Sequence, residues 1–206
     1  VGVYYEIGKT VSRNFASAAK WYEMAAKGGN AKTERNLGSL YLDGKGVAQD
    51  QRKAERLFLR AAEKGNAKAM RNLGYMYYFG ENGRVDFKLA AAYFTAAGKA
   101  GLGKAKFDLG RLYYRGQGVP RDKAVAAQHF AAAAAGGHER AQLFLGRMYY
   151  LGEGVQRNPA RAYYWLLLAR AQEPKAARYY LEKLENIVSE ADKTKARAAA
   201  RAFKPH

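Results

Sequence analysis

Residue types that could carry out catalysis or bind a metal ion are few in this chain. The histidines are His129, His138 and His206, and no two of them have the His-x-x-x-His spacing that places two ligands on one helix face. Cysteine is absent, which excludes thiolate chemistry, disulfide bonds and cysteine-based metal sites. We therefore predict no metal site, and we expect His138 to have a structural role in a turn.

The serines and the glycine-rich segments contain no catalytic motif either. None of the serines lies in a nucleophile-elbow sequence, although a Ser–His–acid triad assembles in space and spacing alone leaves one open. The segment Gly44-Lys45-Gly46 lacks the Gly-Lys-Ser/Thr ending of a phosphate-binding loop and has copies elsewhere, so we interpret it as a turn. We predict a protein with no catalytic residues, no cofactor and no enzymatic activity, and a hydrolase is the function that the sequence favours least.

The charge balance indicates a class of partner instead. Lysine and arginine number 36 against 18 aspartates and glutamates, which gives a formal net charge of +18 at pH 7. Such an excess favours anionic partners, namely an acidic protein, nucleic acid, phospholipid or an acidic glycan. A second interpretation, in which the charge only keeps the protein soluble, stays open. No run of about 18 apolar residues occurs, so we predict no transmembrane segment.

The elements that must position these charges recur with a period of 36 residues. Glycine recurs at Gly8, Gly44, Gly80, Gly116 and Gly152, with a tyrosine three residues before each. Alanine keeps the same step at Ala18, Ala54, Ala90, Ala126 and Ala162. A period of about 20–50 residues indicates stacked supersecondary units, each too small to bury its own apolar face. The chain is therefore predicted to be a solenoid, an architecture that mostly serves binding.

Residues 67–102 show what one unit contains. Leu73, Met76 and Tyr77 recur at helical spacing and form one apolar face. Gly80 is expected to end that helix in the left-handed conformation. Asp86 then stands where an N-cap side chain accepts free backbone N–H groups. Its counterparts are Asn14, Asp50, Asp122 and Asn158. Each unit is thus predicted to be a helix, a turn, a second helix and a second turn.

Glycine also recurs inside the first helix of the unit, at Gly38, Gly74, Gly110 and Gly146. Glycine inside a helix costs about 1 kcal/mol against alanine, so its repetition predicts a close approach between helices. We expect the recurring alanines, such as Ala90 and Ala126, to be the small residues that face these glycines.

The repeated sequence resembles the Sel-1-like repeat family (SLR), a relative of the tetratricopeptide repeats. The resemblance is carried by Asn36-Leu37-Gly38, Tyr41, Gly44-Lys45-Gly46-Val47, Asp50, Lys53-Ala54, Ala61-Ala62 and Gly65, and the pattern returns from Leu109 and again from Leu145. Two turns depart from the pattern. Thr10 replaces a glycine, and Gly80-Glu81-Asn82-Gly83 keeps the length but lacks the Gly-x-Gly-Val form.

The resemblance implies an all-α fold, a right-handed α/α superhelical solenoid of about five 36-residue helix-turn-helix repeats. The array is expected over residues 1–173, with a truncated first repeat and units at about 31–66, 67–102, 103–138 and 139–174. Residues 174–206 lose the consensus but keep a helical composition. We predict a degenerate C-terminal helical cap there, starting near Pro174, because the last unit of an array otherwise exposes its apolar side.

The resemblance also implies a surface for binding. In such solenoids the first helix of each unit lines the concave wall. Counting about 100° per residue, the side chains opposite the buried face are mostly lysine, arginine and tyrosine, whereas a solvated face more often mixes lysine with glutamate. Arginine and tyrosine are enriched in binding hot spots. The predicted groove consists of Lys68, Arg71, Tyr75, Tyr78, Lys104, Phe107, Arg111, Tyr114, Arg115, Arg147 and Tyr150. The tyrosines of the repeat, Tyr41, Tyr77, Tyr113 and Tyr149, are expected in the core instead.

Family members act as protein-interaction adaptors and are often found in bacterial envelopes. The resemblance therefore implies a bacterial, non-catalytic scaffold, with the periplasm or secretion as the expected location. Together with the charge, it predicts that the groove binds an acidic protein or peptide. The alternative is an anionic polymer, either nucleic acid or an acidic envelope glycan, because aromatic residues between cations can stack on bases. The identity of the partner and the oligomeric state stay open.

Overall fold

The computed structural model describes residues 1–8 and 11–205, and over these residues the protein is built of α-helices and loops. The expectation for Thr10, and the histidine at position 206, lie outside the described residues. In chain order the helices are α1 (Gly2–Ile7), α2 (Phe15–Lys27), α3 (Ala31–Asp43), α4 (Gln51–Glu63), α5 (Ala67–Phe79), α6 (Phe87–Lys99), α7 (Gly103–Arg115), α8 (Lys123–Ala135), α9 (Glu139–Leu151), α10 (Pro159–Ala169), α11 (Pro174–Leu184) and α12 (Glu190–Ala202).

The helices begin where the sequence places their caps. The side-chain oxygens of Asn14, Asp50, Asp86 and Asn158 each accept a hydrogen bond from the backbone N–H three residues further on. Asp122 accepts two such bonds, from the N–H groups of Ala124 and Val125. These side chains satisfy backbone donors that have no partner inside the helix, so the predicted N-caps are confirmed.

Glycine ends the first helix of the repeats in the predicted way. Gly44, Gly80 and Gly152 follow α3, α5 and α9 with φ angles of 66°, 70° and 73°, in the left-handed region. In each case the glycine N–H donates to the carbonyl four residues earlier, which satisfies one of the last helical acceptors.

The glycines inside the first helices mark a close approach between two helices, as predicted. A Cβ atom on Gly74 would lie 2.5 Å from the Phe94 ring, and one on Gly110 would lie 2.8 Å from the Phe130 ring. The expectation that alanines face these glycines holds for the backbone at two of them, where the carbonyl oxygens of Ala126 and Ala162 lie 3.3 Å from a Cβ placed on Gly110 and Gly146. A large side chain of the second helix lies closer still, a phenylalanine ring at Gly38, Gly74 and Gly110 and Leu166 at Gly146. The missing Cβ therefore makes room for that side chain.

The chain divides into two compact units, Val1–Leu102 and Gly103–His206. Phe58, Leu73 and Met76 belong to the core of the first unit. The second unit has one cluster around Phe130 and Leu145 and another that joins α10 to the last two helices. Both α11 and α12 pack on α10, and α11 begins at Pro174 as expected.

Candidate protein-interaction surface

In the first unit, the predicted surface lies along one helix. Lys68, Arg71, Tyr75 and Tyr78 follow one another on α5 at steps of three or four residues, which places them on one side of that helix. We call these four residues the first basic face. Lys68 is exposed and the other three are half-buried, whereas Leu73 and Met76 are fully buried.

The aromatic side chains of the first basic face are held by packing against α6 and the end of α5. The Tyr75 ring meets Phe94 edge-on, with 5.3 Å between the ring centres, and stacks on Phe79 at 5.8 Å. The guanidinium of Arg71 lies 4.7 Å from the centre of the Tyr75 ring and also donates to the Tyr75 hydroxyl at 2.7 Å. These contacts restrict the rotamers before any partner arrives, which lowers the entropy cost of binding.

In the second unit, the predicted surface lies on α7 and α9. Lys104 and Arg115 are exposed, and Arg111, Tyr114, Arg147 and Tyr150 are half-buried. We call these six residues the second basic face. Tyr150 packs edge-on against Tyr180 of α11, with ring centres 5.6 Å apart.

An acid neutralises part of the second basic face. The carboxylate of Glu153 accepts hydrogen bonds from Lys123 Nζ and from the Tyr114 hydroxyl, both at 2.7 Å. Arg147 donates to the same Tyr114 hydroxyl at 2.9 Å and lies 3.9 Å from Glu153. The hydrogen bond from Lys123, followed by that from Tyr114, holds the pKa of Glu153 below its ordinary value, while burial raises the pKa of Tyr114. Arg147 therefore already has a hydrogen-bond partner and a nearby carboxylate within the second unit.

Sequence reasoning missed Lys123 and Glu153 as neighbours of this face. Both lie outside the helices on which the exposed side chains were counted, since Lys123 begins α8 and Glu153 lies in the turn after α9. A helical count of 100° per residue applies only within one helix and therefore could not find them.

Phe107 does not belong to the surface, so the prediction that it faces a groove is wrong. Its side chain is 5% exposed. The ring stacks on His138 with 4.4 Å between ring centres, and it also contacts Phe130 and Phe144. The corresponding position is Arg71 in the first unit, and a large apolar side chain there turns inward because burying its surface is favourable.

Two of the repeat tyrosines, Tyr41 and Tyr77, join the first helix of their repeat to the second helix of the repeat before it. The Tyr41 hydroxyl donates to Glu23 and the Tyr77 hydroxyl donates to Glu55, both at 2.6 Å. Burial, reinforced by the Glu55 carboxylate, raises the pKa of Tyr77. Tyr41 is buried as predicted, whereas Tyr77 is only half-buried.

The histidines and acidic residues that were considered for a metal site or for catalysis are spread over several elements. Among the described residues, no group of three or more His, Cys, Asp and Glu side chains could hold a metal ion. His138 has the predicted turn role, since its Nδ1 accepts the Ala141 N–H at 3.3 Å and so caps α9. His129 stacks on Tyr113 at 5.5 Å, and burial lowers its pKa. No helix in this part of the chain is both long and apolar enough to cross a bilayer.

The family follows from comparison with known repeats. The sequence model of the family described as Sel1 repeat matches residues 1–30, 31–66, 67–102, 103–138 and 139–174. The chain belongs to the Sel1 repeat family. Its fold is accordingly an α/α solenoid built of helix-turn-helix Sel1 repeats. Sel1 repeat proteins generally act as protein–protein interaction scaffolds and are typically non-catalytic.

Two solved Sel1 repeat structures are similar to this chain over nearly its whole length. One is the Escherichia coli protein c5321, a protective antigen of uropathogenic strains displaying an SLR fold. It is 30% identical with a TM-score of 0.86, and the match covers 95% of this chain but 42% of that protein. The other is a Sel1 repeat protein from Oxalobacter formigenes, 30% identical with a TM-score of 0.83, covering 98% of this chain and 85% of that one. Both relatives are bacterial, as the sequence resemblance implied. Among curated proteins, none matches the chain.

Proposed function

We propose that this Sel1 repeat protein is a non-catalytic scaffold that binds an acidic segment of another protein through its two basic faces. The observation that carries the proposal is the first basic face, where Arg71 and Lys68 stand beside tyrosine rings that packing already holds in place. Arginine pairs with carboxylates through two parallel hydrogen bonds, and tyrosine adds contact area at little entropy cost. The family role as an interaction scaffold and the net charge of +18 support the same function.

The aromatic geometry favours an acidic peptide over nucleic acid. Binding of single strands relies on bases that stack on exposed aromatic rings between cations. Here guanidinium groups already lie over the rings, with Arg71 at 4.7 Å from the Tyr75 ring centre and Arg147 at 5.4 Å from that of Tyr114. A base would have to displace these guanidinium groups before it could stack on either ring. The proposed setting for this interaction is the bacterial periplasm or the cell exterior.

The proposal is tested by fluorescence anisotropy with a labelled peptide of eight alternating Asp and Glu residues, in 150 mM salt. We expect saturable binding by the unmodified protein. A variant with Arg71→Glu, Arg111→Glu and Arg147→Glu should lose this binding while its helical circular dichroism signal is kept, because the substituted acids repel the peptide.

A matched control carries Arg52→Glu, Arg56→Glu and Arg121→Glu. These arginines are exposed, and their substitution changes the net charge by the same amount at positions outside both basic faces. The control should bind as the unmodified protein does. Equal weakening in both triple variants would show attraction by net charge alone and would contradict a role for the basic faces.

A further inference from the structure

A pocket of about 400 Å³ lies in the first unit, between the first turns of α3 and α5. Lys32 and Arg35 of α3 line one side of it, and Asn66 and Lys68 line the start of α5. Gly101 and Leu102, from the turn that follows α6, close the remaining side. Lys68 is thus shared between this pocket and the first basic face.

The three cations of the pocket have no anionic partner in the described part of the chain. None of the ion pairs among the described residues involves Lys32, Arg35 or Lys68. The Nε atom of Arg35 is shielded from solvent and donates to no described acceptor. A buried donor without an acceptor destabilises the fold, and more so when it is charged. The pocket thus presents three cations with no described acid to neutralise them.

The acid next to Arg35 along the chain cannot serve as that acceptor. Glu34 is fully buried and already accepts from Arg60 at 2.7 Å and from Lys64 at 2.7 Å, both supplied by the end of α4. Its charge is thus neutralised by a different helix, and the charge of Arg35 is left for a ligand.

The helix starts add to the positive potential of the pocket. Lys32 and Lys68 are the second residues of α3 and α5, where the helix dipole carries partial positive charge and disfavours a cation. Asn66 caps α5 by accepting the Ala69 N–H, and Ala67 and Lys68 of the same turn line the pocket. An anion would relieve this repulsion and would face backbone donors that have no acceptor inside the helix.

We infer that this pocket anchors the acidic partner by binding the carboxylates of adjacent Asp or Glu residues. The inference rests on the proposed function and assigns its point of attachment in the first unit. The cations come from two helices and surround a space of about 400 Å³, which admits an acidic side chain together with part of its backbone. Arg35 pairs with one carboxylate through its guanidinium, and the two lysines add point charges at the rim.

The test uses the full chain and the same labelled Asp/Glu peptide in 150 mM salt. A variant with Lys32→Gln, Arg35→Gln and Lys68→Gln should bind about tenfold more weakly or worse, because it removes the three charges that attract the carboxylates of the peptide. The matched control, Arg52→Gln, Arg56→Gln and Lys88→Gln, removes the same charge from exposed positions of α4 and α6. It should bind within about twofold of the unmodified protein.

Unfolding of the pocket variant would mimic a loss of binding, so its thermal midpoint is measured alongside. Since the three cations make no ion pair with described residues, we expect a midpoint equal to or above that of the unmodified protein. The single variant Arg35→Gln, with the same two measurements, should reproduce the larger part of the loss.

Three results would overturn the inference. Unchanged binding by the pocket variant, while the Arg71/Arg111/Arg147 variant fails, would remove the pocket and leave the proposed function standing. A phosphoserine peptide that binds more tightly than the Asp/Glu peptide, and depends on the pocket residues, would replace the carboxylate assignment. Failure of the unmodified protein to bind the acidic peptide, with tight binding of a labelled thymidine oligonucleotide, would refute the pocket inference and the proposed function together.

Discussion

Glu81 in the first unit and Glu153 in the second occupy the same position of the repeat, two repeats apart, yet their carboxylates have opposite surroundings. Glu153 accepts hydrogen bonds from Lys123 and Tyr114, which lower its pKa. The Oε2 atom of Glu81 is shielded from solvent and has no hydrogen-bond partner among the described residues. Burial, and to a smaller extent the charge of Asp43, raise the pKa of Glu81.

The difference comes from the residues that stand at the partner positions. Two repeats before Lys123 the chain has Gln51, and two repeats before Tyr114 it has Leu42. Glu81 therefore has no cation among its described neighbours, and no described acid pairs with Lys32, Arg35 or Lys68 of the same unit. In the second unit, Glu153 forms ion pairs with Lys123 and Arg147. The comparison shows that repeats of the same fold can differ in which charged side chains remain for a partner. A cation that is neutralised by an acid of its own unit is no longer available for binding.

The largest expected effect concerns the packing of a helix glycine against a phenylalanine ring, which occurs in both units. Gly110→Leu should lower the free energy of unfolding by about 3 kcal/mol, because a side chain at this position overlaps the Phe130 ring. Gly74→Leu, which meets Phe94 in the first unit, should cost a similar amount. Chemical denaturation measures both. Gly103→Leu is the control, since a Cβ there meets nothing within 4 Å. An unchanged midpoint for Gly110→Leu would contradict the packing described for both units.

The second prediction concerns the paired acid. Glu153→Gln should lower the free energy of unfolding at pH 7 by about 1 kcal/mol, because it weakens the bonds to Lys123 and Tyr114. The pKa of Glu153 is lowered in the fold, so its stabilisation is present above the ordinary carboxyl pKa and is lost as the pH falls through the lowered value. Denaturation at pH 7 and at pH 3 checks this. A loss of equal size at both pH values would rule out the charge as its cause.

The smallest expected effect has the opposite sign. Glu81→Gln should raise the free energy of unfolding at pH 7 by at most about 1 kcal/mol, because it removes a charge that has no partner. The pKa of Glu81 is raised in the fold, so the cost of its ionisation is full above that raised value and vanishes below the ordinary carboxyl pKa. Thermal midpoints measured between pH 4 and pH 8 should converge with those of the unmodified protein at the acidic end. Destabilisation by Glu81→Gln at pH 7 would remove the contrast between the two acids.

Much of the repeat could be predicted from residues that are close in the chain. Asp86 caps α6 and Gly80 ends α5 where their positions in the repeat indicate, because each interaction spans only three or four residues. The four residues of the first basic face could be placed on one side of α5 for the same reason. Phe107 could not be placed in this way. Its burial depends on His138 and Phe144, which other elements bring to it.

The sequence by itself determined the period of the repeat, the helix starts and ends, and the sign of the net charge. These follow from local backbone preferences, capping and composition. Only the tertiary structure decided that Phe107 turns inward, that Glu153 neutralises its neighbours and that Arg35 faces a pocket without an acceptor. The physical reason is that burial and charge pairing depend on distances between side chains of different helices, and packing alone sets those distances.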